Sequence, residues 1–80
     1  MIITVEISYY PLSTDYTNPI AAFIEELSGV GLMIETGKMS SLITGEYDIV
    51  MEHLTVSMKK LMEQYPSVFA LKISNSCLVY

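Results

Sequence analysis

Nine residues near the start of the chain, "IITVEISYY" (2–10), alternate apolar and polar side chains. Ile3, Val5, Ile7 and Tyr9 fall on one side and Thr4, Glu6, Ser8 and Tyr10 on the other, the period of two that belongs to a strand with one greasy and one polar face. Such a strand commits the chain to a sheet with one covered and one open face. The cover must come from the rest of an 80-residue chain. A chain that short buries only roughly 60% of the surface it exposes when unfolded, so the core is thin.

The remaining segments supply two helices and three strands. Pro11 ends the first strand, and "PLSTDYTNP" (11–19) reads as a loop in which Asp15 or Asn18 caps a helix with Pro19 in its first turn. Ile20, Phe23, Ile24 and Leu27 then recur at helical spacing while Glu25 and Glu26 face water, and Gly29 and Gly31 stop that helix. "LMIETG" (32–37) is a second strand with Leu32 and Ile34 on one side and Met33 and Glu35 on the other. Gly37-Lys38 turns it into an antiparallel third strand, "MSSLIT" (39–44). Gly45 marks the passage to a long helix from about Glu46 to Gln64, with Val50, Leu54, Met58 and Leu61 as its buried stripe and Glu52, Lys59, Lys60 and Glu63 outside it. Tyr65-Pro66 ends this helix, because the residue before proline is pushed out of helical geometry. The last strand, "VFALKIS" (68–74), buries Phe69, Leu71 and Ile73 and turns Ala70, Lys72 and Ser74 the other way.

The order β-α-β-β-α-β predicts an α+β, ferredoxin-like domain spanning residues 1–80 as one unit: a four-stranded antiparallel sheet with two helices on one face. The open face, carrying Thr4, Glu6, Ser8, Tyr10, Lys72 and Ser74, meets water, another subunit or a ligand.

Composition narrows the choice. The net charge is −5, with nine acids against four lysines and no arginine, so a nucleic-acid partner is not expected. With 51% apolar residues and six methionines, the chain holds more hydrophobic material than two layers hide, which predicts a homo-oligomer, a dimer or tetramer formed through sheet faces or edges. Cys77 is the single cysteine, so neither an intrachain disulfide nor a paired-cysteine metal site is available. The start lacks a basic stretch and no apolar run reaches membrane-spanning length, which predicts a cytoplasmic protein without a membrane partner.

No catalytic residue and no metal site is expected. His53, the only histidine, has Ile49 and Ser57 four residues to either side, so no second ligand sits one turn away, and it reads as a boundary residue of the helix. Cys77 has no basic neighbour to activate it. Met51, Met58 and Met62 read as packing.

What remains is a dense group of small polar residues in "IETGKMSSLITGE" (34–46), beside the end of the first strand. Taken singly, Glu35 reads as a solvated hairpin carboxylate and Glu6 as the cross-strand partner of Lys72. Together with Ser8, Tyr10, Thr36, Ser40 and Ser41 they supply acceptors, donors and a ring, a mixture that orients a flat polar heterocycle in a small pocket.

"ISYYPLSTDY" (7–16) followed by "MIETGKMSSLITGE" (33–46) and a long helix resembles the YkoF-like thiamine- and hydroxymethylpyrimidine-binding family, related to small thiamine-binding-like proteins of the same fold. Members carry a similar S-x-Y-P at the end of the first strand and an E-T-x-x-(M/V)-S-(T/S) run before the second helix. Ser8, Tyr10 and Pro11 match the first motif, and Glu35, Thr36, Met39, Ser40 and Ser41 match the second. Ser41 stands where threonine is common, and Thr44 where some relatives carry arginine. The resemblance implies a domain that associates through sheets and binds the aminopyrimidine part of thiamine or of its hydroxymethylpyrimidine precursor without transforming it, in vitamin uptake, salvage or sensing, with no cofactor. The expected ligand-binding set is therefore Glu6, Ser8, Tyr10, Glu35, Thr36, Met39, Ser40 and Ser41, with Glu6 added from strand alternation alone. The alternative is that the open face serves only self-assembly.

Overall fold

A computed structural model describes residues 1–12, 22, 23, 25 and 31–76. Its elements are β1 (Ile2–Pro11), β2 (Met33–Thr36), β3 (Ser41–Glu46), α1 (Tyr47–Gln64) and β4 (Ser67–Ser74). Ala22, Phe23 and Glu25 are helical, as the spacing between β1 and β2 predicts; the rest of that expected helix, its caps and Cys77 lie outside the described residues.

The strands form one sheet in the order β2-β3-β1-β4, every neighbouring pair antiparallel. β1 therefore occupies the interior, between β3 and β4, and α1 carries the chain over it from one to the other. The alternation along β1 is realised as read: Ile3, Val5 and Ile7 are buried, whereas Thr4, Glu6 and Ser8 are half-buried and Tyr10 is exposed. Residues directly opposite in register share a face. Thus Glu6, Leu42 of β3, Glu35 of β2 and Lys72 of β4 form one row across the open side.

On the covered side, Ile3, Val5, Ile7, Ile43 and Phe23 meet Val50, Leu54 and Leu61 of α1. Full burial of an aliphatic or aromatic side chain is worth about 1.5–3 kcal/mol, so this cluster, rather than intrinsic helix propensity, holds α1 in place. The long helix buries Ser57 where the expected stripe has Met58, which is half-buried. Positions 50, 54, 57 and 61 lie closest to one line along a helix; a serine occupies the third of them.

Three further details differ from the sequence reading. β1 runs through Pro11, which pairs with Ser67, while pairing to β3 stops at Ile7 and Ser41. Pro11 thus sits where β1 has no neighbour on the β3 side and loses no ladder bond there. β3 covers Ser41–Glu46, so Gly45 lies inside the strand opposite Ile3 instead of between strand and helix. Ile73, though on the same side of β4 as Phe69 and Leu71, is half exposed near the end of that edge strand.

The junctions are tied by backbone bonds. Leu12 N donates to Pro66 O at 2.8 Å, joining the end of β1 to the α1–β4 turn, and Tyr47 N donates to Met1 O at 2.9 Å. Tyr65 leaves helical geometry at φ −137°, ψ 139°, as expected of a residue before proline. No helix among the described residues is long and apolar enough to cross a membrane.

Candidate ligand-binding site

The β2–β3 hairpin is closed by Gly37 N donating to Ser40 O at 2.9 Å. A Cβ at Gly37 would stand 3.0 Å from that same carbonyl oxygen, so the tight closure favours glycine. Residues 37–40 thereby form a short cap at one end of the sheet, with a hollow on either side of it.

The first hollow lies on the helix-facing side and encloses about 120 Å³. Its inner wall is apolar and aromatic, made by Ile7, Tyr9 and Phe23. Its rim is the hairpin: Thr36 and Ser41 bring hydroxyls, Lys38 a cation and Met39, 88% exposed, a thioether arm, while Ser40 lines it but gives its hydroxyl to Glu6 on the other face. An apolar wall facing a few convergent polar groups is the usual construction of a small-molecule site. The volume admits a single ring; one water needs only about 10–15 Å³ of such space.

Tyr9 is held in place from two directions. Its ring stacks on that of Phe69, opposite it on β4, with centroids 4.5 Å and planes 6° apart. Its hydroxyl lies 3.0 Å from Ser67 Oγ, which donates to Tyr65 O at 2.9 Å. With the Ser67 proton directed to that carbonyl, Tyr9 is the donor of the pair.

The second hollow opens on the other face and encloses about 240 Å³ between Glu6, Glu35, Leu42, Ser40, Thr36 and Gly37. Ser40 Oγ donates to Glu6 Oε2 at 3.4 Å, and Lys72 Nζ stands 3.8 Å from Glu6 Oε1, as cross-strand pairing predicts. Thr36, Gly37 and Ser40 border both hollows.

The expected set is thus divided by the sheet. Thr36, Met39, Ser40 and Ser41 meet around the helix-side hollow, while Glu6 and Glu35 join Thr36 and Ser40 around the open-face one. Ser8 and Tyr10 line neither of these hollows: Ser8 stands opposite Ala70, and Tyr10, 53% exposed, stands opposite Val68 near the C-terminal end of β1. Tyr9, Phe23 and Ile7, which the sequence reading assigned to the core, are the lining residues it did not propose. For Ile7 and Tyr9 the signal is the alternation of β1, which puts both on its greasy side; Phe23, on a helix, has only its helical spacing. Among the described residues no group of three or more histidine, cysteine, aspartate or glutamate side chains is placed to hold a metal ion.

Fold and site together define a small α+β protein whose antiparallel sheet ends in a polar-rimmed, aromatic-walled hollow. Solved structures share this fold. A Thermotoga maritima protein named "putative thiamine biosynthesis/salvage protein" superposes with a TM-score of 0.85 at 24% identity, over 95% of this chain and 85% of its own. Protein SP2199 from Streptococcus pneumoniae gives 0.87 at 16% identity over 95% and 88%, and the domain of unknown function DUF77 from Bacillus cereus 0.80 at 19% over 95% and 77%. No protein-family model and no curated protein matches the chain.

Proposed function

We propose that this protein binds thiamine or its hydroxymethylpyrimidine precursor without transforming it, as a ferredoxin-like βαββαβ member of the YkoF-like, thiamine-binding-like group. The observation that carries the reading is the placement of Thr36 and Ser41, in register with the buried-face Ile7, at the rim of a ring-sized hollow with an aromatic wall. The hydroxyls offer paired donors and acceptors to an aminopyrimidine, and the wall shields its faces from water. Glu6 and Glu35, across the hairpin, give a cationic extension of such a ligand an acidic neighbourhood. The name of the Thermotoga maritima neighbour is consistent with this ligand class. The role is vitamin uptake, salvage or sensing, in the cytoplasm, by a dimer or tetramer.

Calorimetry with thiamine, hydroxymethylpyrimidine and pyrithiamine tests the reading. It expects saturable heat from at least one of them; none at about millimolar ligand, a binding energy near only 4 kcal/mol, would remove it.

A second reading, that the open face serves self-assembly, is favoured by the apolar groups exposed there: Met33 (71% exposed), Leu42, Val68 and Tyr10. Alanine at Thr36, which borders both hollows, tests the ligand site, and alanine at Ser8, on the open face but outside them, tests the assembly face. A ligand site loses affinity at unchanged mass, whereas an assembly face changes its elution volume.

A further inference from the structure

Neighbouring strands lie about 4.8 Å apart, and the Tyr9 and Phe69 rings, on directly opposed residues of β1 and β4, are 4.5 Å apart and almost parallel. Their common normal therefore runs across the strands. One face of Tyr9 is covered by Phe69 from the β4 side, and the other looks toward β3 and the hairpin, where the helix-side hollow lies. Phe23 leans across both rings, 5.4 Å from Tyr9 at 59° and 5.6 Å from Phe69 at 56°, and closes the stack from the helix side.

We infer that the hollow takes a planar, unsaturated heterocycle as the third layer of a Phe69–Tyr9–ligand stack, its ring against the face of Tyr9 turned away from Phe69. This deepens the proposed function and rests on its reading of the hairpin hollow as a ring site, but not on the ring being that of a vitamin. Because the Tyr9 proton is committed to Ser67, Tyr9 offers the ligand a π face and no donor. Polar selection falls to Thr36 and Ser41 at the hairpin rim. The two constraints on Tyr9, a covered face and a tethered hydroxyl, are set without the ligand, so little side-chain freedom remains to be lost on binding. Saturated rings of equal size lose the stacking contribution and are discriminated against.

The test is proton NMR of the full chain with assigned Tyr9, Phe23 and Phe69 rings, titrated with thiamine, hydroxymethylpyrimidine, 4-aminopyrimidine and cyclohexylamine. The expected result is an upfield ring-current shift of the bound heterocycle's protons, Overhauser contacts from them to the Tyr9 ring, and affinity roughly tenfold lower in Tyr9→Leu. The wild-type Overhauser contacts decide the matter if Tyr9→Leu does not fold. If 4-aminopyrimidine behaves this way while thiamine and hydroxymethylpyrimidine do not bind, the stack stands and the vitamin reading falls. If the vitamin ligands bind but contact Glu6 and Glu35 without reaching Tyr9, the vitamin reading stands and the stack is overturned. Cyclohexylamine binding as well as the aminopyrimidine, or no probe binding, also overturns it.

Discussion

Leu32 occupies the space that a side chain at Gly45 would need: a Cβ built on Gly45 falls 2.6 Å from Leu32 Cδ2, and 3.2 Å from Val50 Cγ2 on α1. Leu32 can rotate away at some cost in packing, but Val50 is fully buried and stiff about its first torsion. Gly45→Ala is therefore expected to destabilise the fold by about 1–3 kcal/mol, the usual penalty of overpacking. Denaturant unfolding reads it as a lower midpoint at unchanged slope. Trimming the first obstruction with Leu32→Ala should recover part of the loss in the double variant, since the two sites touch.

That contact also marks the boundary of what the chain reveals by pattern. The alternation of residues 2–10 needs no tertiary information, because one buried face imposes a period of two, and β1 follows it from Ile2 to Ser8, Tyr9 being only half-buried. Gly45 reads as a punctuation mark when seen alone; only the approach of Leu32 and Val50 explains why a glycine sits inside β3. The hairpin hydroxyls were legible as a cluster for the same local reason. Their aromatic partner was not, since Tyr9, Phe23 and Ser41 come from three elements whose register is set by the whole sheet. Tyr10, the ring that the alternation places on the open face, is the more exposed of the two adjacent tyrosines. The hollow with the aromatic wall is on the other face.

Ser57 supplies a second prediction. Its side chain has no exposure and its Oγ has no hydrogen-bond partner among the described residues. An unsatisfied buried hydroxyl costs about 1–3 kcal/mol, and alanine is the better helix former by roughly 0.5 kcal/mol. Removing one oxygen leaves a small void that offsets part of this gain. Ser57→Ala is expected to stabilise the protein by about 1 kcal/mol, raising the midpoint of thermal unfolding by roughly 4–8 °C. A lower midpoint would mean that the hydroxyl is bonded in solution.

The Glu6–Lys72 pair invites an opposite expectation. Its 3.8 Å separation joins side chains that are 44% and 87% exposed, so water and salt screen most of the attraction. Lys72→Ala is expected to change stability by less than about 0.5 kcal/mol, measured by chemical unfolding at low and at high salt. Glu6 also accepts the Ser40 hydroxyl beside the hairpin, so any effect of Lys72→Ala on ligand affinity should exceed its effect on unfolding.

The open face yields the last prediction. Met33 stands opposite Thr44 near one edge of the sheet and Val68 opposite Tyr10 near the other, both exposed. Neither borders the helix-side hollow beside Tyr9. If two copies meet through this face, lysines at both positions bring like charges into a contact that excludes water, which costs far more than the same charges cost in solvent. Met33→Lys/Val68→Lys is expected to lower the mass measured by light scattering while the monomer keeps its unfolding midpoint. Affinity for a ring held beside Tyr9 should change by less than about threefold, because both side chains are exposed on the opposite face of the sheet, where water and salt screen their charge. A collapse of affinity along with the mass would instead mean that the subunit interface completes the pocket.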